Sequence, residues 1–76
     1  MNISFEKTLM LDVTKNIHAL FQQGVIDASK RSDLIKMLTE KDYESLFSSV
    51  NELFVKSGNA SAKSISDAIF NLTANN

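Results

Sequence analysis

Residues 39–58 read TEKDYESLFSSVNELFVKSG, and this stretch decides the fold. Tyr43, Leu46, Phe47, Val50, Leu53 and Phe54 recur at three- and four-residue spacing, which lays one broad apolar stripe along a helix. A stripe that wide must be buried. Thr39 stands where a hydroxyl can accept from the backbone of Asp42 while that carboxylate reaches back, a shortened capping box. Leu38 and Tyr43 flank the cap as a hydrophobic staple. Lys56 complements the dipole in the last turn, and Gly58 supplies the left-handed conformation that closes a helix. The spacing predicts a helix over 40–57.

Upstream, Leu9, Met10, Val13, Ile17, Leu20 and Phe21 share a side of a helix predicted over 5–23, with Ser4 as its cap and Glu6 in its first turn. Gly24, Val25, Ile26 and Asp27 then describe a tight reversal: an ending glycine, two apolar residues and the next cap. The following helix, 28–38, has the weakest pattern. Its stripe rests on Leu34, Ile35 and Leu38, and Ser29, Ser32 and Asp33 lower its intrinsic propensity, with Ser29 or Ser32 as alternative starts.

Downstream, the serine-rich segment after Gly58 has the composition of a linker, but Ala62, Ile65, Ala68, Ile69 and Leu72 form a further stripe. A helix is predicted over 61–73, capped by Asn59 or Ser61, with 74–76 as a frayed tail. No segment alternates as a strand would, no proline occurs, and no repeat of fixed period is present. The expected fold is all-α, a compact antiparallel bundle of three to four short helices formed by residues 1–76 as a single domain.

A chain of 76 residues has one small core, worth about 4–11 kcal/mol in all. It contains no cysteine, and His18 is its only histidine, so neither a disulfide nor a structural zinc site reinforces it. Helix packing, self-association or a partner must suffice. The start of the chain lacks the basic and apolar runs of a secretory signal, and no apolar run approaches the ~20 residues that cross a bilayer. A soluble cytoplasmic protein is expected, and the composition suits a small bacterial or phage protein. Eight Lys and Arg oppose nine Asp and Glu, so no global field draws in nucleic acid or an anionic membrane. The densest basic group, Lys30, Arg31, Lys36 and Lys41, is interleaved with Asp27, Asp33, Glu40 and Asp42 and reads as a mixed solvated surface.

No catalytic, metal or cofactor signature is present. A thiol nucleophile is absent, and His18 lies off its helix's stripe beside Lys15 and Gln22, as a solvated histidine would. Glu40, Asp42 and Glu44 gather where a helix N-terminus attracts carboxylates, without a calcium-binding loop. The two glycines stand alone, so there is no phosphate loop.

Two binding readings follow. Counted at 100° per residue, Leu11, Met37, Val55 and Phe70 point away from their own stripes, and residues of this kind that converge make a docking surface. Aromatics concentrate binding energy and methionine adapts to irregular partners, which puts Phe70 and Met37 first. The expected role is a non-enzymatic interaction module of the inhibitor, immunity, adaptor or regulatory type, binding another protein or a second copy as a homodimer. As an alternative, Ser61 to Ile69 resembles the recognition helix of a helix-turn-helix, a small polar run ahead of an apolar anchor with Gly58 before it. Ser61, Lys63, Ser64 and Asn71 would then meet bases and phosphates. The turn is one residue longer than usual, Phe54 is bulky where the preceding helix carries a small residue, and Asp67 repels phosphate.

Overall fold

The computed structural model describes residues 3–74 and contains four helices, α1 (Ile3–Gln22), α2 (Ala28–Thr39), α3 (Tyr43–Ser57) and α4 (Ala60–Ala74), with no strand among the described residues. The backbone of each helix runs close to two others, α1 to α2 and α4, and α3 to α2 and α4, while the diagonal pairs α1/α3 and α2/α4 stand further apart and meet only through side chains of the shared core. The order around the bundle is therefore α1, α2, α3, α4, closed by α4 returning to α1. Every groove on the outside lies between helices adjacent in this ring, and the α1/α2 groove is opposite the α3/α4 groove.

The stripes meet along the axis. Val13, Ile17 and Leu20 of α1, Leu34 and Leu38 of α2, Leu46 and Val50 of α3, and Ala62, Ile65, Ala68, Ile69 and Leu72 of α4 are all buried, joined by Ile26 from the first turn. All five predicted stripe residues of α4 are inside. Ser66 is buried beside them, and its hydroxyl has no hydrogen-bond partner.

Turn chemistry sets the helix ends. Gly24, at φ 76°, follows α1: its N–H donates to Phe21 O at 3.0 Å while Val25 N–H reaches Leu20 O at 3.0 Å. These crossed bonds are the Schellman arrangement, and the left-handed residue it needs is most easily a glycine. Asp27 caps α2 as expected, its Oδ1 accepting from Lys30 N–H at 2.8 Å. Asn59 caps α4, its Oδ1 accepting from Ser61 N–H at 2.8 Å and Ala62 N–H at 3.1 Å. Its Nδ2 also donates to Gln23 Oε1 at 2.9 Å, which ties the start of α4 to the end of α1.

Four expectations are corrected. Thr39 does not open α3; it ends α2, with Oγ1 donating to Ile35 O at 2.9 Å. The cap of α3 is Asp42, whose Oδ1 accepts from Ser45 N–H at 3.3 Å, so α3 starts at Tyr43 rather than 40. With that cap a staple would join Lys41 and Leu46, so Leu38 and Tyr43 do not form one, although both pack on the core. Ser4 lies within α1, whose first residue is Ile3, and so does not precede the helix as a cap. Ala74 belongs to α4 and not to a tail, while residues 75–76 lie outside the described residues.

The α2–α3 turn is closed by a second Schellman arrangement, Lys41 N–H to Leu38 O at 3.0 Å and Asp42 N–H to Met37 O at 2.9 Å. Here the left-handed residue, at φ 58°, is Lys41. A side chain in that region costs about 1 kcal/mol relative to glycine. The lysine recovers little through Glu6, since that 3.6 Å pair is largely exposed. Lys41→Gly is therefore expected to raise stability by about 0.5–1 kcal/mol, a few degrees in Tm. An unchanged or lower Tm in a thermal melt would show that the turn is not strained.

Candidate functional site

Two open grooves on opposite sides of the ring carry the surface features that packing leaves over. The first lies between α3 and α4. Phe70 sits 100° round from buried Ile69, so the turn that buries one exposes the other. It is 66% exposed, and Phe47, next to buried Leu46, is 39% exposed. Both rings line a depression of about 340 Å³ together with Tyr43, Glu44 and Ile69. Among the described residues, the only charged group lining it is the Glu44 carboxylate.

Val55, 74% exposed, lies one heptad beyond Ser48, which also lines this depression. Seven residues return a helix to nearly the same direction, so Val55 continues the α3/α4 face about 10 Å further along. Phe47 belongs to the α3 stripe by spacing but lies at its rim, where α4 does not cover it. That is the functional candidate the periodicity alone does not reveal.

The second groove, about 540 Å³, runs between α1 and α2 and is lined by Thr14, His18, Arg31, Ser32, Ile35 and Lys36. Among the described residues, no carboxylate lines it. The Arg31 guanidinium stacks 4.4 Å from the Phe21 ring centroid, and the His18 ring lies 6.2 Å from the same ring. The Arg31 guanidinium is thereby packed on an aromatic face, and the side chain is partly exposed. Ion pairs among the described residues join Lys41 to Glu6, Lys56 to Glu52 and Lys63 to Asp67, and involve neither Arg31 nor Lys36. Leu11, 57% exposed, is three residues before Thr14 and seven before His18, and so extends this groove by one turn.

The four off-stripe residues are thus not one patch. Phe70 and Val55 belong to the α3/α4 face, and Leu11 to the α1/α2 face. Met37 is half-buried and packs against the core, because α2 is flanked on both sides by neighbours.

The residues of the DNA-reading alternative are mostly engaged within the protein. The Ser61 hydroxyl accepts from Gln23 Nε2 at 3.4 Å, and Lys63 Nζ pairs with Asp67 at 3.2 Å. Asn71 Nδ2 donates to Asp67 O at 3.1 Å, and Ser64 is exposed. Of α4's residues, Ala62, Ile65, Ser66, Ala68, Ile69 and Leu72 are buried between α1 and α3, and the opposite side, with Lys63, Ser64, Asp67, Phe70 and Asn71, faces solvent.

No protein-family model matches this sequence, and neither a curated protein nor a solved structure matches it. No helix among the described residues is long and apolar enough to cross a membrane.

Proposed function

We propose that this protein acts by contact, as a small non-enzymatic interaction module that docks onto another protein, or onto a second copy of itself, through its α3/α4 face. Such a module serves as an inhibitor, immunity factor, adaptor or regulatory subunit. The observation that carries this is that Phe47 and Phe70, both exposed, line one depression on a bundle whose other large apolar residues are mostly inside. Exposed aromatic pairs with a polar rim are where association energy concentrates. A cytoplasmic setting suits a chain without cysteine.

A helix-turn-helix regulator using α4 has less support, because Lys63 is already paired and the net charge is −1.

Phe70→Asp is expected to leave the helical circular dichroism intact, since the side chain is exposed, and to weaken association roughly 30-fold or more. Light scattering reads self-association, and co-purification of a defined partner reads the heterologous case. Association unchanged by the substitution sinks the proposal.

A further inference from the structure

We propose, building on the docking role of the α3/α4 face, that its occupant is the α1/α2 groove of a second copy, so that copies join head to tail. Each face has an apolar component and a single sign of lining charge. The α1/α2 side presents Leu11 and Ile35 with Arg31 and Lys36, and the α3/α4 side presents Phe47, Phe70 and Val55 with Glu44. Residues 3–38 carry five Lys and Arg against four Asp and Glu; residues 39–74 carry three against five. The bundle is polar across the axis that separates the two grooves.

Arg31 is the specific anchor. Stacked on Phe21 and outside any ion pair, its fork is set to take a carboxylate in two parallel hydrogen bonds, and Glu44 of the next copy supplies one. A symmetric dimer through the α3/α4 face would instead bring two Glu44 carboxylates to one apolar surface with no cation lining it, which like-charge repulsion disfavours. A standard contact takes about 800 Å² from each partner, roughly a sixth of the 4720 Å² of surface here. Because the faces differ and lie on opposite sides, the contact does not close on two copies, and the chain of copies extends until a ring or filament forms. A net charge of −1 leaves little global repulsion to oppose it.

Sedimentation velocity of the intact protein from micromolar to about 1 mM is the test, at 50 mM and 500 mM salt. The weight-average mass is expected to climb with concentration past the dimer and to fall at the higher salt. Arg31→Glu and Glu44→Lys are each expected to weaken assembly at least tenfold, because each alone sets like charges against one another at every contact. Mixed in equal amounts they are expected to assemble again, since alternating copies then make only opposite-charge contacts. That recovery also shows that both variants are folded.

A monomer at every concentration, a mass that stops at the dimer, or a mixture no better than its components would each overturn head-to-tail assembly. If wild type stays monomeric while Phe70→Asp loses a foreign partner, this inference fails and the docking role of the α3/α4 face stands.

Discussion

Ile65→Ala is expected to destabilise the protein by 2–5 kcal/mol, the usual cost of deleting a buried isoleucine side chain down to its Cβ. Ile65 is fully buried on α4, the helix that sits between α1 and α3, so the void opens where three helices meet. The whole fold of a 76-residue chain is worth only about 4–11 kcal/mol. One methyl-lined hole therefore removes a large share of it. With m near 1 kcal/mol/M for so small a domain, the urea midpoint should fall by about 2 M or more. Val55→Ala, at a position 74% exposed, serves as the comparison and should stay within about 0.5 kcal/mol. A shift below about 1 kcal/mol at Ile65 would mean that α4 is not central to the core.

Asn59→Ala should cost about 1–2 kcal/mol, more than an ordinary cap at the surface of a helix. One amide performs two tasks there. Its oxygen serves the otherwise unpaired N–H groups of Ser61 and Ala62, and its nitrogen holds the Gln23 side chain at the end of α1. Asn59→Asp separates the two, since a carboxylate keeps the cap and suits the helix dipole but cannot donate to Gln23. Its loss should be the smaller. Amide exchange at Ser61 and Ala62 should accelerate in the alanine variant and not in the aspartate one. A double-mutant cycle with Gln23→Ala then isolates the link between the helices, expected at about 0.5 kcal/mol or more. Equal losses for Ala and Asp would assign the effect to the tie rather than the cap.

Most of the architecture was legible because burial on a helix is periodic. The α4 stripe is complete, and the α1 stripe is right in its buried members Val13, Ile17 and Leu20. Boundaries were harder where two caps compete. Thr39 and Asp42 both offer oxygen acceptors, and local pattern does not rank them. The choice falls to Asp42 because Lys41 takes the left-handed conformation, and a lysine accepts that strain when the packing of Leu38 and Leu46 on either side holds the turn.

The candidate surfaces divide along the same line. Phe70 could be found from its angle alone, because Ile69 and Leu72 fix which way α4 faces. Phe47 and Met37 could not, since a residue at the edge of a stripe is covered or bared according to where the neighbouring helix lies. Met37 gains cover from its flanking helices, and Phe47 is left at the rim. Nor does spacing within any one helix show that Arg31 and Lys36 share a groove free of carboxylates. That arrangement needs α1 to bring Thr14, His18 and Phe21 alongside them.

The link between Gln23 and Asn59 sets α1 and α4 side by side in opposite directions. Ile3 and Ala74 therefore emerge at one pole of the molecule. α1 has 20 residues and α4 has 15, an offset of about 7.5 Å at the rise of a helix. With about 8–10 Å between packed helix axes the two ends lie roughly 12 Å apart, which about four extended residues span. The bundle can accordingly be grafted into a loop of a host protein, or rejoined at its ends and cut open between α2 and α3, without any helix changing its neighbours.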